Sequence, residues 1–188
     1  MNTLFPIEPE LPIGFVYHPD FITPAEEAYW LKMITAIPLK PMLFQGYEAK
    51  RKVASFGYDW SFEKRVLTKG VPIPPSFDAL IEKAAHSFLL SKDSIGELLI
   101  TEYPLGSVIN WHRDAPPFDK IIGISLLSDC TFRLRPYEKA KQNRKSLHSL
   151  TVKRRSAYLI EGEARSDWEH STTPVPAIRY SITMRTLK

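Results

Sequence analysis

The chain of 188 residues has a single cysteine, Cys130. One thiol excludes an internal disulfide framework and any zinc site built from several cysteines, makes a disulfide-linked partner unexpected, and fits a reducing compartment, cytoplasmic or, in a eukaryote, nuclear. Long apolar runs are also missing: no window approaches the roughly 18 apolar residues of a membrane span, and residues 1–11 lack the charged and apolar regions of a leader, so no membrane is expected as a partner. Internal repeats and low-complexity tracts are absent. Charge of one sign is not dominant either, because 25 Lys and Arg against 21 Asp and Glu leave only +4. That small excess suits a polyanionic partner without requiring one.

Proline is abundant instead. Sixteen prolines against a usual share of about 5% imply many turns between short elements and argue against a helical bundle. Apolar residues at 44% and charged residues at 24% are those of a globular chain, and the length suits one domain, expected to be monomeric. Thr23, Pro24 and Glu26 have the spacing of a helix start with a capping box, which predicts a helix to about residue 36. Phe77, Leu80, Ile81, Ala84 and Phe88 recur at helical spacing after Pro72, Pro74 and Pro75, which predicts a second helix over about 76–90. Between them, residues 38–71 interleave Phe44, Tyr47, Phe56, Tyr58, Trp60 and Phe62 with Lys50, Arg51 and Lys52, and read as hairpins rather than a linker. From residue 98 onward, seven β-type runs follow, at 98–103, 108–112, 121–127, 131–135, 147–152, 157–160 and 178–186. Such spacing suggests a sandwich, jelly roll or barrel.

Two clusters carry chemistry. In the extended segment Trp111-His112-Arg113-Asp114, residues two apart face the same way, so His112 and Asp114 present an imidazole and a carboxylate to one point. His170, far along the chain, would complete the two-histidine, one-carboxylate set that holds Fe(II) with open positions. A chance H-x-D in a chain with five histidines stays open on spacing alone. The C-terminal run places Arg179, Ser181, Thr183 and Arg185 on one strand face and Tyr180, Ile182 and Met184 on the other. Two arginines and two hydroxyls can cradle a small dicarboxylate, since a guanidinium grips a carboxylate through two parallel hydrogen bonds; a solvated strand face is the bland alternative.

The succession Tyr103-Pro104-Leu105-Gly106, His112-x-Asp114, Gly162-Glu163-Ala164-Arg165 running into His170, and Arg179-x-Ser181-x-Thr183-x-Arg185 resembles the AlkB-like Fe(II)/2-oxoglutarate-dependent dioxygenases. The resemblance covers residues 98–188, and residues 49–60 look like the nucleotide-recognition lid of bacterial members. It implies a mostly β chain with N-terminal helices: helices and lid over about 1–97, and a double-stranded β-helix, or jelly-roll, catalytic core over about 98–188. It also implies oxidative dealkylation of N-alkylated bases in DNA or RNA, with Fe(II), 2-oxoglutarate and O₂. Residue by residue, His112, Asp114 and His170 would hold the iron, Arg179 and Tyr103 the distal carboxylate, and Arg185 the metal end of the co-substrate. Thr101 and Ser181 stand where the family usually has Asn, and with Thr183 would supply hydroxyls instead. Tyr58, Trp60 and Trp111 are candidates to stack on a flipped base, and Arg165 to contact substrate or orient the active-site carboxylate. Arg51 and Lys52, with Lys50 and a second cluster at Lys153, Arg154 and Arg155, would track phosphates. Ala115-Pro116-Pro117-Phe118 is less acidic than the matching stretch of better-studied members and suggests bulkier neutral adducts, such as etheno bases. Action on another RNA or a protein side chain, or a silent binding module, are the alternatives.

Overall fold

Twelve strands and three α-helices make up the described part of the chain, residues 11–44 and 47–188 of a computed structural model. The side chains of Phe44 and Tyr47, and all but the last residue of the segment read for a leader, lie outside it. An eight-stranded antiparallel sheet runs in the order β1 (Phe15–His18), β10 (Ala157–Ile160), β7 (Phe118–Leu126), β12 (Arg179–Leu187), β5 (Ile95–Tyr103), β3 (Tyr47–Ser61), β2 (Lys40–Phe44), with β4 (Val66–Lys69) hairpinned on β3. Against it lies a four-stranded sheet in the order β6 (Ile109–His112), β11 (Trp168–Thr172), β8 (Cys130–Pro136), β9 (His148–Val152). This is a jelly roll with helices on the outside of the major sheet.

Alternation along the strands sorts the two faces of that sheet. Leu98, Ile100, Ile122, Ile124, Ile182 and Met184 point outward and bury Trp30 and Ile34 of α1 (Pro24–Thr35) and Leu80 and Ile81 of α2 (Asp78–Ser87). Thr23 and Glu26 form the capping box that starts α1, and Glu26 also takes Lys83 of α2 at 2.6 Å. The second helix begins two residues later than its apolar periodicity suggests, because residues 75–77 after the prolines form a 3-10 turn. Glu27, buried on the inner side of α1, accepts the Leu127 backbone N–H at 2.8 Å and pairs with Arg154.

The region expected to form hairpins does so, as β2, β3 and β4. β3 spans 15 residues and changes face midway. Phe56 packs with the helices, whereas Trp60 joins Leu67 against the cluster between the two sheets. The switch falls at Gly57, which has φ +84° and a Cβ position only 2.2 Å from the Gly96 carbonyl oxygen, so no other residue fits there.

All seven expected strands are present, and β1, β11 and the short helix α3 (Gly162–Ser166) were not anticipated. The inward residues of β11 are Trp168, His170 and Thr172, and its outward ones, Glu169 and Ser171, take Arg135 and Arg133. With polar residues on both faces, β11 has no apolar alternation to read.

Candidate active site

His112 closes β6 and stands directly opposite His170 of β11 in the antiparallel register. Asp114, two residues beyond β6, comes to the same point: one ligand atom from each of the three residues lies within 4.8 Å of the others. The Nδ1 of His112 is 2.9 Å from the Asn110 carbonyl, which can only accept, so Nδ1 donates there and Nε2 is the nitrogen left to face a metal. The His170 ring stacks on Phe132 at 5.2 Å. Burial, and then the neighbouring His112, press its pKa down to about 3, so the imidazole is neutral and able to ligate at neutral pH.

Asp114 is almost fully enclosed. Its Oδ1 accepts from Nε of Arg185 at 2.9 Å and pairs with Nη2 at 2.8 Å, which leaves Oδ2, 3.6 Å from His170 Nε2, as the oxygen facing the histidines. Burial alone would raise this carboxyl, but Arg185 and the other cationic neighbours outweigh it and hold the pKa below the ordinary range. The third Arg185 nitrogen, Nη1, donates to Glu97, whose other oxygen takes Ser55 Oγ at 3.3 Å. Burial of Glu97 exceeds the pull of Arg185, and its pKa is raised. Two imidazoles and one carboxylate oxygen, with proton and counter-ion positions fixed by outer partners, fit an Fe(II) ion with open positions.

The second half of the site is on the major sheet. Arg179, Ser181 and Thr183 of β12 face Tyr103, Thr101 and Leu99 of β5 and share their side of the sheet with Ser125 and Gly123 of β7. Arg179 is 3% exposed, donates through Nε to Ser125 Oγ at 3.0 Å, and lies 4.9 Å from the Tyr103 ring. Among the described residues no carboxylate lies within ion-pair distance of it. A buried guanidinium without a counter-ion is costly, and an anionic guest is the remedy the pocket provides for. Tyr103 Oη and Ser181 Oγ, 3.3 Å apart, border the same space.

Three partners in this site escaped the sequence. Ser125 and Glu97 have no motif around them, but Tyr158 had a signal. Gly123 interrupts the apolar run of β7, and a Cβ there would sit 2.2 Å from the Tyr158 ring, so the glycine marks where that ring crosses the strand.

Of the residues expected to meet substrate, Trp60 and, two residues away on the same face, Tyr58 lie on the site side of β3 beyond the Gly57 switch. Arg51 shares the face of Ser55 and donates to Met42. Two readings need correction. Lys52 lies on the helix side of the sheet, where it pairs with Glu102 at 3.1 Å. Trp111, next in sequence to His112, points through the opposite face of the minor sheet, against Arg133 and Arg135. Arg165, read as contacting substrate or orienting the active-site carboxylate, turns inward: its Nη2 donates to the carbonyls of Asp114, Ala115 and Phe118 at 3.2, 2.8 and 2.8 Å, fixing the loop that carries Asp114. The cluster Lys153, Arg154 and Arg155 is likewise spent on Asp129 and Glu27, at the end of β9 away from its first residue, His148. That histidine, which had no role in sequence, packs at 5.3 Å on Trp168, two residues before His170 on its face of β11.

Comparison with known proteins agrees with this geometry. The chain is 28% identical over 186 residues to an alkylated DNA repair protein ALKBH8 homolog of Arabidopsis thaliana, covering 87% of this chain and 52% of the relative. It is 26% identical over 174 residues to a tRNA (carboxymethyluridine(34)-5-O)-methyltransferase, alkbh8, of Xenopus tropicalis, covering 89% and 26%. The chain thus spans between about a quarter and a half of the length of these curated relatives. The solved structure of OsALKBH1 superposes with a TM-score of 0.73 at 13% identity, over 94% of this chain and 98% of that one, and shares its fold. No helix among the described residues is long and apolar enough to cross a membrane. Residues 14–185 match the 2OG-Fe(II) oxygenase superfamily, and with its histidine–aspartate–histidine corner beside a buried arginine cradle the chain belongs to that superfamily as an AlkB-like member.

Proposed function

We propose that this chain oxidises alkyl groups on the nitrogens of nucleobases in DNA or RNA, using 2-oxoglutarate and O₂ and releasing an aldehyde, succinate and CO₂. Bound at His112, Asp114 and His170, Fe(II) supplies the oxidising power through O₂ and the decarboxylation of 2-oxoglutarate. Everything else falls to the chain itself. Arg179 pairs with the distal carboxylate, aided by the hydroxyls of Tyr103, Thr101 and Ser181, with Thr183 further along the same strand face. Arg185 fixes the Asp114 carboxylate so that one oxygen faces the metal corner, and Arg165 fixes the loop beneath it. The target base, flipped out of its stack, enters from the side of Trp60 and Tyr58, with Arg51 on the same hairpin near its phosphate. Once the carbon attached to nitrogen is hydroxylated, the hemiaminal breaks without further help, so the pocket need only hold the C–H bond in place and keep water out. Residues 98–188 form the catalytic part of the domain and residues 1–97 its helices and recognition hairpin.

The observation that carries this reading is Arg179, a buried cation with no carboxylate partner among the described residues, on the same strand as Arg185, which binds Asp114. A tRNA substrate is the second reading, favoured by the tRNA-modifying name of the Xenopus relative. The test is an Fe(II)- and 2-oxoglutarate-dependent assay, read by mass, on DNA and RNA strands carrying 1-methyladenine, 3-methylcytosine or ethenoadenine, with tRNA alongside. Loss of an alkyl mass from any strand supports dealkylation. An oxygen mass gained on tRNA alone supports the second reading, and succinate formed with no nucleic-acid product overturns both.

A further inference from the structure

We propose that the outer face of the minor sheet is a second nucleic-acid contact, which holds the single strand flanking the reacting nucleotide; this rests on the nucleic-acid reading above. Because Trp111 and His112 are consecutive in β6, they emerge on opposite faces, and the Trp111 indole forms the floor of a separate pocket of about 370 Å³. The guanidinium of Arg135 lies 4.1 Å and that of Arg133 5.0 Å from its ring. Both arginines are anchored through Nε, to Glu169 and Ser171, and among the described residues neither spends an Nη group on a hydrogen bond.

The far wall is Asn143, Arg144 and Leu147 in the connection from β8 to β9, which is firmly built. Gln142 donates to the Pro136 carbonyl at 2.8 Å, and the Asn143 side chain accepts the backbone N–H groups of Lys145 and Ser146. Of the three arginines around the pocket, only Arg135 has a carboxylate partner among the described residues, so the site is net cationic. Its volume falls within the roughly 300–1,000 Å³ of ligand pockets. An indole flanked by guanidinium groups matches the alternation of base and phosphate along a single strand, where stacking and phosphate contact act together.

Arg113, two residues after Trp111, links the pocket in sequence to the metal corner. Arg113, between His112 and Asp114, lies 3.5 Å over the ring of Tyr137, the first residue after β8. In this proposal a strand leaving the metal corner runs over Arg113 and Tyr137, an aromatic and cationic pair, toward Arg144 and Trp111.

Fluorescence anisotropy on the full chain tests this, with strands of about twelve nucleotides in RNA and in DNA and with trinucleotides sharing the same central base. Trp111→Ala is expected to weaken binding of the longer strand about tenfold and leave the trinucleotide unchanged. Arg144→Ala is expected to reduce the slope of log affinity on log salt by about 0.7, and Arg144→Lys to restore it. The arm with the larger loss identifies RNA or DNA as the strand. Arg144 is exposed on its loop, so its variants carry the test should Trp111→Ala fail to fold. Wild-type binding that neither variant alters, or equal losses on the trinucleotide, overturns the groove while leaving the proposed function standing; no wild-type binding to any strand overturns both.

Discussion

His112 and His170 face each other directly across the β6–β11 pair, with ring centroids 4.3 Å apart. An ion held by both rings ties two strands of the minor sheet together, so metal binding is folding energy as well as chemistry. Fe(II), or Mn(II) as an inert substitute, at about a hundred times its Kd is expected to raise the Tm by about 5–10 °C. Differential scanning fluorimetry checks this, and His112→Ala should remove both the shift and turnover. A shift that survives in His112→Ala would place the metal elsewhere.

Arg179 sets an opposite pair of effects. Without a guest its charge is buried and uncompensated, so Arg179→Met is expected to leave the apo-protein as stable or more so. The same change removes charge-assisted hydrogen bonds of about 1.5–3 kcal/mol, which predicts a KM for 2-oxoglutarate about 10- to 100-fold higher. Thermal unfolding and succinate release measure the two sides. A destabilised variant with an unchanged KM would mean that Arg179 is a structural cation.

The buried imidazole of His170 gives the metal-free protein a pH signature. Its pKa is about 3 in the fold against an ordinary 6.5, so between those values the unfolded chain binds a proton that the folded chain does not. Stability contributed by the neutral ring is complete above pH 6.5 and is lost as pH falls, by at most about 1.4 kcal/mol per pH unit. Glu27, depressed by Arg154 and the Leu127 N–H against its own burial, adds loss in the same direction below its ordinary 4.5. Urea unfolding of metal-free protein at several pH values should show the slope, and His170→Gln should flatten it between pH 6.5 and 4.5.

Gly123→Ala should expel the Tyr158 ring from its place across β7, since the new methyl would lie 2.2 Å from it. Overpacking of this kind costs about 1–3 kcal/mol. Because the ring borders the Arg179 cradle, the KM for 2-oxoglutarate should rise as well, and Gly123→Ala combined with Tyr158→Phe should recover little, as the clash is with the ring. Calorimetry and steady-state kinetics report the two effects.

Much of this site could be read directly from the sequence, because most of its residues sit on short strands where spacing of two fixes a face. Arg179 through Arg185 follow that rule on β12, and Asp114, although two residues beyond β6, comes to the same point as His112. What stayed hidden depends on pairing between distant strands. Glu97 meets Arg185, and Ser125 meets Arg179, only through the β5–β12–β7 register. The alternation that brings His112 inward also sends Trp111 outward, and the same alternation turns Lys52 toward α1. Arg165 could be read toward substrate or toward the active-site carboxylate, because the three carbonyls that occupy it come from a loop about fifty residues earlier.

That bond pattern separates two jobs within one loop. Because Arg165 grips backbone carbonyls, it holds the Asp114–Phe118 stretch whatever side chains the stretch carries. The prolines Pro116 and Pro117 are thereby released from supporting the metal corner, whereas Ala115 is buried in the cluster between the sheets. Under the proposed function, substitutions at these two positions would alter the mouth of the site without disturbing the metal corner, which makes them the natural place to graft a different specificity.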